Sequence, residues 1–406
     1  MKIIFLTAPA VGGVFSVFRA LRDELGCRGA EVRWLAAGPD AALASESLPA
    51  ELACGSVVAP EDRSPAIQTA ALLREIQRTG PDVVVGNVFS GIVEQNLMFY
   101  LPAAIRRFIL VHNITPMTYR AARALRDHVD AAICVSPRIR HDLIMYHGFT
   151  PGRTVHIPQG IADAAFVAPR PRPESSFRVL FLGRIEEQAK GICWLAPILS
   201  NLVAAVPHAT LTVAGDGPDL SRLKQEVAAR GLSRSVSFLG SVEHDAVASL
   251  AAAHEAILLT SRFEGSPMSL IECMAAGCVP VASRIRGATD AIVTESENGF
   301  LFPVGDVRSA ASWLARLACD PELHARLRER AIQTVREKFS AAAQSEALLA
   351  LFRAHADAPA RFAPLPISEW RVHPGLRPGW WYRLPEPVKN SLRILRERAC
   401  CFASIL

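Results

Sequence analysis

Short apolar runs alternate along this chain with stretches of helical periodicity. In the first half, Ile3-Ile4-Phe5-Leu6-Thr7 and residues 31–36, 82–86, 108–111, 130–135 and 154–157 read as buried strands, separated by lengths that fit crossover helices. The first such helix is visible directly. After Gly12-Gly13 makes a turn, Val14, Val17, Phe18, Leu21 and Leu25 recur at helical spacing. The second half repeats the pattern with runs at 178–182, 210–214, 236–239, 256–260, 279–282 and 299–302. Both halves therefore predict an α/β fold with a parallel, doubly wound sheet. Ala168-Pro-Arg-Pro-Arg-Pro173 breaks all periodicity, as an exposed linker does. The expected division is a first domain over 1–168, a second over 174–339, a helix over 340–355 and an extension over 356–406.

Composition agrees with two domains, since 406 residues of which 50% are hydrophobic exceed one ordinary core. Nine cysteines are an odd number without metal-ligand or redox spacing, so they read as buried thiols in a reducing compartment. Cytoplasmic residence is the expectation. No apolar run reaches the roughly 18 residues that a spanning helix needs. The opening Lys2-Ile-Ile-Phe-Leu imitates a leader, but its apolar part is too short and a first strand accounts for it better.

The candidate chemistry lies in the second half. Glu264-Gly-Ser-Pro-Met-Ser-Leu-Ile-Glu272 follows the run at 256–260, with Ser266 placed to cap the next helix and Pro267 suited to its first position. Glu264 would then stand in a loop at the carboxyl end of a strand, where open α/β sheets bind ligands, and Glu272 on the helix beyond. One carboxylate could reach a sugar and the other a ribose. The backbone N–H groups of Gly265, Ser266, Met268 and Ser269, with Pro267 among them, would form a positive concavity that favours phosphate. Gly183-Arg184 and Lys190-Gly191 follow the first strand of the same domain. A guanidinium fork and a compact ammonium suit a diphosphate whose departure builds charge on the leaving oxygen. No Asp-x-Asp pair suits a metal-bound diphosphate, so no metal and no cofactor is expected, with the two cations and helix N-termini in its place.

Gly12-Gly13, Pro158-Gln-Gly-Ile, Gly183-Arg184 with Lys190-Gly191, Gly215-Asp-Gly-Pro218 and the Glu264–Glu272 segment resemble, in order, the signature of the retaining glycosyltransferases of family 4. The likeness covers about residues 1–355. It implies a GT-B fold, two Rossmann-like domains facing across a cleft, with the helix over 340–355 crossing back to the first domain. It implies hexosyl transfer from a nucleotide-diphosphate sugar to a carbohydrate or lipid-linked acceptor, with retention of anomeric configuration, and the high Ala and Arg content points to a bacterial source and so to polysaccharide or glycolipid synthesis. By the same resemblance Arg184 and Lys190 clamp the diphosphate, Glu264 contacts the donor sugar and Glu272 the ribose. The Gly12-Gly13 backbone closes over the phosphates, and His112 in Val111-His112-Asn113 stands near the anomeric carbon. Gln159 departs from the family's usual Asn, and Arg286-Gly-Ala-Thr-Asp290 is a loose version of its Gly-Gly-x-x-Glu stretch.

Two alternatives keep the same donor grip: a nucleotide-sugar epimerase of this fold, and a non-catalytic sugar-nucleotide-binding protein. A dinucleotide oxidoreductase fits worse, because Gly12-Gly13 lacks the third glycine of its phosphate turn. In residues 361–406, eight basic side chains face three acidic ones, an excess equal to the net charge of +5 for the whole chain. Trp370, Trp380, Trp381 and Tyr382 are interleaved with them, and Val388, Leu392, Leu395 and Ala399 fall on one face of a predicted helix. Such a segment suits either peripheral contact with the anionic inner face of the cytoplasmic membrane or packing on the protein's own body. A nucleic-acid partner would call for a basic face on the domains as well.

Overall fold

The computed structural model describes residues 1–9, 13–46, 48–87, 91–168, 176–359 and 361–377, and beyond these only 384–385, 388–389, 391–392 and 394–395. Gly12, the Pro-rich linker over 169–173, Trp380, Trp381, Tyr382 and Ala399 lie outside the described residues. Contacts group Met1–Ala162 with Ser340–Pro378 as one unit, and Asp163–Phe339 with the terminal residues as the other.

The first unit is built on seven parallel strands: β1 (Lys2–Leu6), β2 (Glu31–Ala37), β3 (Gly55–Val58), β4 (Val83–Asn87), β5 (Arg106–Val111), β6 (Ala131–Cys134) and β7 (Thr154–His156). Their order in the sheet is β3-β2-β1-β4-β5-β6-β7. Helices on both faces bury Ile3 to Leu6 and Val83 to Val85 completely, which is why these strands read as unbroken apolar runs. The sequence pattern supplied six of these strands and missed β3. Gly55-Ser-Val-Val is short and half polar, and it pairs at the sheet edge with Gly55 opposite Trp34. A Cβ at Gly55 would meet the Trp34 ring at 2.2 Å, so the indole occupies the space that a strand-forming side chain would need.

The helix Gly13–Cys27 turns Phe15, Phe18, Leu21 and Leu25 into this core, with Phe18 against Phe5 at 5.3 Å between ring centroids. Against it lies the helix Ala341–Ala356, which opens with the Ser340 hydroxyl accepting the Ala343 N–H. Phe352 on that helix is fully buried, its ring 4.8 Å from that of Phe108 on β5. Burial of one such side chain contributes about 1.5–3 kcal/mol, and Leu348 and Leu349 of the same helix are buried with it. Residues 361–377 continue across the same unit. The Leu365 N–H donates to the Phe99 carbonyl, Asn96 and Tyr100 both bond the Arg371 carbonyl, and His373 stacks on Phe99 at 4.6 Å. Arg107 and Arg153 stand over the ring of Phe362. This part of the extension packs on the body of the protein.

The second unit holds six parallel strands: β8 (Phe177–Leu182), β9 (Ala209–Ala214), β10 (Val236–Gly240), β11 (Ala256–Leu259), β12 (Val279–Ser283) and β13 (Phe300–Phe302), in the order β10-β9-β8-β11-β12-β13. Phe177, Val179 and Phe181 of β8 meet Leu195, Leu199 and Leu202 of the helix Leu195–Ala205 in one continuous core. The buried carboxylate of Glu255 is answered by Arg178, with Nη2 to Oε1 at 2.8 Å. In each sheet the chain winds outward in both directions from a central pair, β1 and β4 in one and β8 and β11 in the other. The carboxyl ends of such pairs leave an open crevice.

Candidate functional site

The loops after β8 and β11 meet at the second sheet's crevice. After β8, Gly183-Arg184 leads to a single helical turn, Glu187–Lys190, closed by Gly191 in the left-handed region at φ 59°. After β11, residues 260–267 lead to the helix Met268–Ala275. Lys190 Nζ and Glu264 Oε1 stand 2.5 Å apart across these loops, and the Ser261 hydroxyl donates to the same oxygen at 2.6 Å. The side chains are 21% and 10% exposed, so the pair is largely shielded from bulk water.

The pair is held from below by contacts that single motifs did not reveal. The Thr260 hydroxyl donates to the Lys190 carbonyl, and the Arg262 N–H to the Ala189 carbonyl, each at 2.8 Å. The Arg262 guanidinium bonds the Glu187 carboxylate and carbonyl and lies 4.1 Å from the Trp194 ring centroid. Burial pushes the Glu187 carboxyl up, but bonds from the Cys193 side chain and N–H and from Arg262 outweigh it and leave the group below its ordinary value. The same contacts, burial first and Glu187 second, push the Cys193 thiol up to about 12, so it is no nucleophile. Gly215-Asp-Gly-Pro218 braces the other flank: the Asp216 carbonyl accepts the Ile185 N–H at 2.8 Å, and Asp219 accepts that of Glu187 at 2.8 Å. Gly215, at φ 138°, comes so near Gly183 that a Cβ would meet its carbonyl oxygen at 2.0 Å. Arg262 sits two residues before Glu264, and its presence on a strand-end loop was the available signal.

The helix start differs from expectation in one respect. Ser266 makes no capping bond, and Pro267 is itself the N-cap, at φ −78° and ψ 87°, with the helix beginning at Met268. The strand likewise stops at Leu259, one residue short of the predicted run. A proline cap has no hydroxyl to bond the first turn. Among the described residues, the N–H groups of Gly265, Ser266, Met268 and Ser269 have no hydrogen-bond acceptor in the chain, and unpaired amides at a helix start favour an anion. Glu272 lies further along the helix, mostly enclosed, with His244 Nδ1 at 3.9 Å. Burial pushes its carboxyl up to about 7. Arg184 stands apart from this cluster: its side chain is 67% exposed and 3.6 Å from Glu186.

The remaining expected residues belong to the first unit. Gly13 starts the helix Gly13–Cys27 after β1. His112 follows β5, and its Nδ1 lies 2.9 Å from Gln159 Nε2. Burial lowers the His112 pKa to about 4, with Gln159 opposing the shift, so the ring is neutral at neutral pH. When the Gln159 amide donates to Nδ1, the ring proton resides on Nε2. Gln159 thus fills its departure from the family pattern with a definite contact.

Two twisted parallel sheets of this kind, each open at the carboxyl ends of its central strands, define the GT-B class of α/β proteins. The structure of HepE from Anabaena in complex with UDP superposes with a TM-score of 0.71 over 87% of this chain and 100% of that one, at 19% identity. The family described as "Glycosyltransferase Family 4" matches residues 11–164, and that described as "Glycosyl transferases group 1" matches residues 164–334. The chain belongs to the family 4 glycosyltransferases. Among curated relatives, alpha-D-kanosaminyltransferase of Streptomyces kanamyceticus is 29% identical over 43% of this chain and 45% of its own length. Phosphatidyl-myo-inositol mannosyltransferase of Mycolicibacterium smegmatis is 33% identical over 45% of this chain and 47% of its own. The chain thus spans less than half the length of these relatives.

Proposed function

We propose that this protein transfers a hexose from a nucleoside-diphosphate sugar to a hydroxyl of an acceptor, with retention at the anomeric carbon. The observation that carries the reading is the Lys190–Glu264 pair beside the open amides of Gly265, Ser266, Met268 and Ser269, at the carboxyl ends of β8 and β11. An ammonium and unpaired N–H groups suit the diphosphate, and a carboxylate held by Ser261 suits sugar hydroxyls. As the acceptor oxygen bonds to the anomeric carbon, the bond to the diphosphate breaks, its electron pair moves to the phosphate oxygen, and the acceptor's hydroxyl proton passes to that departing oxygen. Lys190 offsets that charge, and Arg184, free to swing from its exposed position, adds a bidentate contact. No metal and no cofactor is assigned a part. Glu272 is the partner for the ribose hydroxyls, and His112, neutral and donating from Nε2, contacts the sugar without adding charge.

The test is turnover. Lys190→Ala and Arg184→Ala should each lower kcat by about 10² or more, the scale of losing one donor to a developing anion. Unchanged turnover in both variants refutes the assignment. Product analysis separates the alternatives, since an epimerase returns an altered free donor and a binding protein returns none. Peripheral membrane contact is the second part of the proposal. It is supported by the basic, Trp-containing composition of 361–406 and by the exposure of Val388, Leu392 and Leu395. Among the described residues, no helix is long and apolar enough to cross a membrane.

A further inference from the structure

The first unit contains a pocket of its own, about 510 Å³, at the carboxyl ends of β1, β2 and β4. That volume lies in the range of sites for small organic ligands. Thr7, Gln68 and Asn87 line it with polar side chains, the Gln68 amide already donating to the Asp62 carbonyl, and Asp40 and Glu94 bring carboxyls. Glu94 sits in the first turn of the helix Ile92–Leu97 and is only 8% exposed. Backbone N–H groups, its own and that of Ala37, bond its carboxyl, yet burial prevails and holds its proton affinity above the ordinary value.

No cationic side chain among the described residues lines this pocket. A buried carboxyl in such a place lacks the counter-charge that would let it ionise, and a ligand ammonium would supply one. A phosphate or carboxylate on the ligand would meet repulsion instead. The polarity is the reverse of the Lys190 site in the second unit, so a diphosphate donor is directed to one unit and away from the other.

We infer that this pocket receives the acceptor, and that the acceptor is an amine-bearing polyol whose ammonium group is held between Glu94 and Asp40 while its hydroxyls meet Thr7 and Asn87. The inference rests on the glycosyltransferase reading above and names the class of compound it acts upon.

Titration calorimetry on the full chain, with UDP present, tests it using glucosamine, glucose and glucosamine 6-phosphate as probes. Glucosamine should bind about tenfold or more tightly than glucose, the scale of one charge-assisted contact, and the phosphorylated amine more weakly than glucosamine. Glu94→Gln should abolish the preference and leave UDP affinity unchanged, and Asp40→Asn, at an exposed position, should reduce it independently of any folding defect at Glu94. Equal binding of glucosamine and glucose, or a preference that survives both substitutions, overturns the inference. Failure of UDP itself to bind strikes at the donor reading, so the two failures are distinguishable.

Discussion

Replacing Glu272 by Gln should flatten part of the dependence of stability on pH. The folded protein holds this carboxyl at about 7 because burial disfavours its charged form, whereas an unhindered glutamate titrates near 4.5. Below pH 4.5 the group is protonated whether the chain is folded or not, and it has no effect on the equilibrium. Between 4.5 and 7 the unfolded chain releases the proton and the folded chain keeps it, so the folded state loses about 1.4 kcal/mol for each pH step. Above 7 the loss is complete, at about 3 kcal/mol in all. The side chain is 12% exposed, so solvent screens the effect little. Urea unfolding of wild type and Glu272→Gln at half-unit steps from pH 5 to 8 measures it. The variant should gain on wild type by about 2–3 kcal/mol across that range. A gap between the two curves that stays constant within about 0.5 kcal/mol would falsify the assignment of a desolvated carboxyl, as would a carboxyl carbon resonance titrating near 4.5.

Arg262→Ala removes the bonds that tie the turn 187–190 to the loop before Glu264, although Arg262 itself is assigned no contact with the donor. It should lower kcat/KM for the donor by about tenfold or more, and Arg262→Lys, lacking the planar fork, should restore little of it; wild-type kinetics in both would remove its positioning role. Flotation with anionic liposomes should carry the intact chain, and a truncation at Ala360 should stay behind. Equal flotation of the two, or none, would end the membrane proposal.

The strands of both sheets were legible wherever burial on two faces forces a continuous apolar run, as in β1, β4 and β11. β3 was not, because a strand at a sheet edge, with an indole lying over its first residue, carries no such signature. At the site, Glu264, Lys190 and the glycines were legible because a strand followed by a tight turn confines where they can stand. The role of Arg262 was hidden, since its partner Glu187 is 75 residues away in the chain and only the fold of the second sheet joins them. The expected cap at Ser266 failed for a local reason. A serine one residue before a proline competes with the proline for the cap position, and the backbone of Pro267 took it, so no cap side chain bonds the N–H groups of the first turn.

The helix Ala341–Ala356 and the segment after it complete the first unit, though they are the last described elements to be synthesised. A nascent chain leaving the ribosome therefore carries its opening sheet with the groove for Phe352 still empty until the whole intervening unit has emerged. The second sheet can close on itself first, and a premature stop after residue 339 would injure the half of the molecule farthest from it in sequence.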